Sequence, residues 1–117
     1  MCLEIEASSR LNFFSDQPHV LVLHIYPLSN GTTFGTLSAR DMIAGERPSG
    51  MTEDRRTLEV EPGQSIALAD PLPRDTVELG LLADFYGSAK KAIVSAECGL
   101  FRGEKILLSA NDLQVSP

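Results

Sequence analysis

Val20-Leu21-Val22-Leu23-His24-Ile25-Tyr26 is the stretch that decides the fold. It is built almost wholly of β-branched, aliphatic and aromatic residues, which fit the half-buried pleat of a strand. Side chains along a strand alternate between two faces. Leu21, Leu23 and Ile25 therefore share one face, and Val20, Val22, His24 and Tyr26 share the other. Neither face reads as wet, so the strand is predicted to be central and covered on both sides.

Upstream, Leu3, Ile5 and Ala7 alternate with Glu4, Glu6 and Ser8, the pattern of a strand with one solvated face. The link between these strands, Arg10 to Pro18, carries polar residues and a proline and reads as a loop. Leu11, Phe13 and Phe14 stand out there, because a solvated loop favours polar side chains. They either tuck into the core or form a docking patch.

Downstream, Asn30-Gly31 breaks the pattern. A helix is predicted over Thr33 to Ala44, with Phe34, Leu37, Met42 and Ile43 on one apolar stripe and Gly45 as its stop signal. The polar stretch from Glu46 to Arg56 reads as a solvated loop. Leu58 and Val60, then Ile66 and Leu68, predict a hairpin over 57–69 around a type II turn at Pro62-Gly63. Asp70-Pro71-Leu72-Pro73 ends it. Val77, Leu79, Leu81, Ala83 and Phe85 line one face of the next strand, closed by Gly87. A final pair is predicted from Ala92 to Cys98 and Lys105 to Ser109, turning at Arg102-Gly103-Glu104. About seven strands at regular spacing, with one short inserted helix near 33–45, predict an all-β, two-sheet β-sandwich.

A chain of 117 residues suits one domain spanning 1–117. Hydrophobic residues at 43% and charged residues at 22% match a globular core and argue against wholesale disorder. With a net charge of −6 and no basic cluster beyond Arg55-Arg56 and Lys90-Lys91, nucleic acid is a poor partner. No apolar run approaches the ~20 residues of a membrane-spanning helix. The opening Met1-Cys2-Leu3-Glu4 has neither a basic segment nor an apolar signal core, as in a cytosolic protein or a sequence that starts near a mature N-terminus.

Reactive constellations fail one after another. There is no Gly-x-Ser-x-Gly elbow and no glycine-rich phosphate loop. His19 and His24 fall on opposite strand faces and cannot cooperate. His24 reads as a satisfied or half-exposed sheet residue, His19 as a solvated edge residue, and Asp84 as an acid on a wet face. Glu4 with Glu6, and Glu59 with Glu61, read as solvated carboxylates rather than calcium ligands. Cys2 and Cys98 lack metal-ligand spacing. The sequence therefore predicts no catalytic residue, no metal site and no cofactor.

Taken in order, several segments resemble the type VI secretion lipoprotein family TssJ/SciN. They are Leu3 to Ser8, the loop with Leu11-Asn12, Val20 to Leu28, the Phe34 to Ile43 insert, Arg56 to Ser65 with its Pro-Gly, and Leu79 to Tyr86. The resemblance implies a transthyretin-like sandwich with a small helical addition. It also implies a non-catalytic docking lipoprotein on the periplasmic face of the outer membrane, binding the periplasmic C-terminal region of a TssM inner-membrane protein. The partner loop it implies is Asn12, Phe13, Phe14, Ser15, Asp16, Gln17 and Pro18. Cys2 becomes the lipidation candidate, since Leu3 after it fits outer-membrane sorting; a Cys2–Cys98 disulfide and two buried free thiols stand as alternatives. Rival functions are a periplasmic or surface sandwich that binds a small ligand or carbohydrate, and a transthyretin-like hydrolase. The hydrolase lacks its C-terminal Tyr-Arg-Gly-Ser signature in Asn111 to Pro117.

Overall fold

A computed structural model of the chain describes residues 1–30, 32–98 and 104–116. Its elements are β1 (Cys2–Ala7), β2 (Leu21–Leu28), α1 (Ala39–Ile43), β3 (Arg56–Val60), β4 (Ser65–Ala69), β5 (Glu78–Phe85), β6 (Ser88–Ser95), β7 (Glu104–Leu108) and β8 (Leu113–Ser116). They form two four-stranded sheets, ordered β4-β1-β7-β8 and β3-β2-β5-β6. β1 and β7 run parallel, and the other pairs are antiparallel. No helix among the described residues is long and apolar enough to cross a membrane.

The alternation read from the sequence sets the core. Leu3 and Ile5 from the first sheet meet Leu21, Leu23, Ile25, Leu79, Leu81 and Ala83 from the second, all buried. Each leucine or isoleucine among them contributes about 1.5–3 kcal/mol relative to an exposed one. β2 is flanked by β3 and β5, so its predicted central place holds. Its other face is covered too. Tyr26, Leu28 and Leu82 pack against Phe34 and Met42, making a second apolar cluster outside the sandwich.

That cover is the inserted segment, and it is less helical than its stripe suggests. Only residues 39–43 are α-helical. Thr33 and Thr36 close a turn instead, and the Ser38 hydroxyl accepts from the Asp41 N–H as the N-cap. Gly45, at φ 119°, ends the helix where expected. Two cations fasten the segment. Arg55 donates to the Tyr26 hydroxyl and the Met42 carbonyl, and Lys91 donates to the Phe34 and Leu37 carbonyls. Pro48 is buried and Met51 bridges Leu28, so the stretch expected to be solvated is partly packed down.

Two predicted pairings are corrected. The turn at Pro62-Gly63 is type II in character, with Gly63 at φ 77° and the Gln64 N–H on the Glu61 carbonyl. Such turns splay the flanking strands instead of matching their twist. Accordingly 57–69 is an arch and not a hairpin: β3 pairs with β2 in one sheet, and β4 with β1 in the other. The final pair is likewise divided. β6 returns from β5 through Tyr86-Gly87, while β7 joins β1 and β8. The Arg102-Gly103 turn lies outside the described residues. β8 is an eighth strand, closed by the Ser109 N–H on the Asp112 carbonyl.

Candidate functional site

Strand directions give the sandwich two poles, about 25 Å apart at ~3.3 Å per residue of an eight-residue strand. At one pole meet the link from Ser8 to Val20, the Glu61–Gln64 arch, the Tyr86-Gly87 turn and the Ser109–Asp112 turn. Cys2 and Cys98 lie at the other, joined by a disulfide with Cα atoms 5.1 Å apart.

At the first pole, Asn12 is the organising residue. It sits at φ 48°, a left-handed conformation that asparagine tolerates better than most residues, and is only 8% exposed. Its side-chain oxygen accepts from the Tyr86 N–H at 2.9 Å, and its amide donates to the Val20 carbonyl at 3.1 Å. Its backbone N–H reaches the Ser109 carbonyl, and the next N–H, of Phe13, reaches Ala110. One buried side chain thus ties the start of β2 to the β5–β6 turn, while its backbone joins the β7–β8 turn. Burying an amide is tolerable only when it is satisfied, as here.

Beyond Asn12 the chain makes a tight reversal. Phe14 and Gln17 exchange backbone hydrogen bonds at 3.1 Å, with Ser15 and Asp16 between them at φ 51° and 61°. Two positive φ values in a two-residue turn are those of type I′. The reversal presents Phe14 sideways, half-buried, between two other rings. His19 stacks on one face at 3.5 Å and 7°, and Tyr86 on the other at 4.2 Å and 19°. His19 is held by its N–H on the Leu11 carbonyl and by Nδ1 against the Asn12 carbonyl. Phe13 lies under the Arg10 guanidinium, 4.0 Å from the ring centre. Offset stacking and cation–π contact of this kind each add about 0.5–1.5 kcal/mol of local order.

The predicted loop residues therefore separate. Leu11 is wholly core; Asn12 is a buried tie; Phe13 and Phe14 are half-buried; Ser15, Asp16, Gln17 and Pro18 are exposed. His19, expected as a solvated edge, is instead part of the ring stack. Tyr86, 71% exposed, and Val20, 45% exposed, join the same surface. Sequence reasoning passed over Tyr86 because 72 residues separate it from Phe14. The tight Tyr86-Gly87 turn was its one available signal.

Cys2 stands apart from this surface, and its sulfur is held by Cys98. Of the three states considered for Cys2, the disulfide is the one present. A sulfur so bonded has no valence for a thioether, and the lipid expected at Cys2 gives way on that ground. His24 lies under the insert, with Nδ1 3.1 Å from the Thr57 hydroxyl. Burial pushes its pKa below the usual value, the Arg55 charge adds to this, and Asp84 opposes it. Among the described residues no three His, Cys, Asp or Glu side chains gather as for a metal. A cleft of about 410 Å³ runs between α1 and the β5–β6 turn, with Arg40 and Asp84 as its charged lining.

Comparison with known proteins gives these features a context. The chain aligns over 100% of its length, and 97% of the other chain, with a solved "Type VI membrane complex" at TM-score 0.86 and 22% identity. A chain in a structure described as "T6SS protein TssM C-terminal domain (869-1107) from EAEC" gives 0.81 and 21%, covering 100% and 97%. The lipoprotein TssJ1 from Pseudomonas aeruginosa gives 0.78 and 20%, covering 98% and 92%. These likenesses establish the fold. No curated protein matches the chain in sequence. Residues 1–96 match the T6SS-SciN family, described as "Type VI secretion lipoprotein, VasD, EvfM, TssJ, VC_A0113". That match takes in both strands flanking the Asn12 loop and the Tyr86 turn, and the chain belongs to this family of type VI secretion lipoproteins.

Proposed function

We propose that the chain is a non-catalytic docking module of the type VI secretion membrane complex. It sits at the periplasmic face of the outer membrane and binds the periplasmic C-terminal region of a TssM-type inner-membrane protein. The ring stack carries this reading: three aromatic side chains from two segments are held face to face at one pole, with Tyr86 open to water. A solvated loop gains little from such rings, whereas aromatic anchors that are already ordered lose little entropy on binding. Two observations support the address. A disulfide persists in an oxidising compartment such as the periplasm. It also lies at the pole opposite the rings, so a chain tethered near β1 points its rings away from the membrane.

The contact surface comprises Phe13, Phe14, Ser15, Asp16, Gln17 and Pro18, with Asn12 holding them in place. The test replaces Phe13 and Phe14 with serine and measures affinity for the TssM-type periplasmic region of the same secretion cluster. Binding falls by about tenfold or more, as for a truncated hot spot. The melting temperature falls by about 5–15 °C as the two stacks and the cation–π contact are lost, so affinity is measured well below it on the folded variant. A folded double variant that binds as tightly as the wild type refutes the assignment.

A further inference from the structure

From the exposed face of Tyr86 we infer that the partner segment docking at this pole presents a cationic side chain, an arginine or lysine, stacked on that ring. The inference rests on the docking reading and deepens it. Tyr86 is 71% exposed although Phe14 covers one of its faces at 4.2 Å. What water reaches is therefore the opposite face, together with the ring edge and the hydroxyl. An open phenol face accepts either another ring or a cation. Charge decides between them. The segments tied together at this pole bring four carboxylates, Asp16, Glu61, Asp84 and Asp112, against two guanidiniums, Arg10 and the Arg40 that shares the cleft beside the β5–β6 turn with Asp84. Hydrogen bonds join these segments: the Gly63 N–H donates to the Ser8 carbonyl, the Asn12 N–H to the Ser109 carbonyl, and the Tyr86 N–H to the Asn12 side-chain Oδ1. Arg10 already lies on Phe13. The pole is thus acidic around an unoccupied π-face, within a chain of net charge −6. Such a field draws in a cation and repels an anionic segment.

Asn12 fixes the geometry. Its bond to the Tyr86 N–H sets the β5–β6 turn so that the ring meets Phe14, which aligns the open face before any partner arrives. Arginine suits this surface best, since its planar guanidinium can lie on the ring while its edge donates to a nearby carboxylate.

The experiment measures affinity and association rate for the TssM-type periplasmic C-terminal region of the same secretion cluster, at low and high salt. Tyr86→Phe keeps wild-type affinity within about twofold and leaves the melting temperature unchanged, whereas Tyr86→Leu loses about tenfold in affinity and, with its stack on Phe14 gone, only a few degrees in melting temperature. Asp16→Asn combined with Glu61→Lys slows association by about tenfold, and high salt slows the wild type similarly. Equal affinity for Tyr86→Leu and wild type overturns the ring contact. Association that ignores both salt and the Glu61→Lys change overturns the cationic partner. Failure of the wild type to bind at any salt instead sinks the docking reading itself.

Discussion

Replacing Cys98 with serine tests how the two sheets are held at the pole away from the rings. The disulfide links residues 96 positions apart, tying β1 of one sheet to the segment after β6 of the other. In the chain-entropy picture, a cross-link closing a loop of this size removes about 16 cal/mol/K from the unfolded ensemble, or ~4.7 kcal/mol at 25 °C. Measured losses for small secreted domains run about 2–5 kcal/mol. Against a total stability of about 5–15 kcal/mol, that is a large fraction. Near about 4 °C per kcal/mol for a domain of this size, the melting temperature of Cys98→Ser falls by roughly 10–20 °C. Urea unfolding of oxidised wild type, reduced wild type and Cys98→Ser measures it. The two disulfide-free forms agree with each other and share a lower midpoint. A thiol assay on the unfolded, oxidised wild type finds no free sulfhydryl. Two free thiols in that assay, or a loss below about 1 kcal/mol on reduction, refute the reasoning.

Two further outcomes follow from the outer cluster and its buried histidine. A Cβ placed on Gly80 would lie 2.6 Å from the Phe34 ring, itself 1% exposed. Gly80→Ala therefore destabilises by about 1–3 kcal/mol through overpacking, and a Phe34→Leu background absorbs part of that loss in a double-mutant cycle of urea midpoints. His24 has a folded pKa lowered from 6.5, so below that pH the unfolded chain binds more protons than the native one. Stability accordingly falls as pH drops through 6.5 toward the folded pKa, at no more than ~1.4 kcal/mol per pH unit. His24→Asn flattens that slope in pH-dependent urea titrations, and an unchanged slope contradicts it.

The elements that were legible in the sequence were those whose partners are local or whose pattern reports burial directly. The run from Val20 to Tyr26 has two apolar faces because it lies between a core and a cover, and β1 alternates because one side is wet. Pairing was not legible. β3 and β4 carry the alternation of a hairpin, yet a type II turn sends them to different sheets, and period-2 patterning cannot say which edge a strand will meet. β8 was missed because four residues after Asn111-Asp112 give too short a pattern. The insert misled through its apolar spacing. Phe34 and Leu37 face the sheet from a turn, since Thr33, Gly35 and Thr36 are weak helix formers. At the aromatic pole the misplaced Phe13 and Phe14 were visible, because apolar residues in a polar loop demand an explanation. His19 and Tyr86 were not, because only tertiary contact stacks them on Phe14.

With docking at the ring pole as proposed, the separation of the poles makes stability and recognition independently adjustable. The disulfide constrains the sheets at one end; Asn12 and its hydrogen bonds order the rings at the other. Sites more than about 7–10 Å apart without shared partners contribute additively, and these lie about 25 Å apart along β2. Cys98→Ser should therefore lower the melting temperature while its folded fraction binds the TssM-type region at wild-type affinity. Phe14→Ser should lower affinity at a smaller thermal cost than Cys98→Ser, and the double variant should show both losses, summed. Were the disulfide variant to lose affinity while still folded, the sandwich would be transmitting strain between its ends. The ring stack would then be ordered by the whole β-framework and not by Asn12.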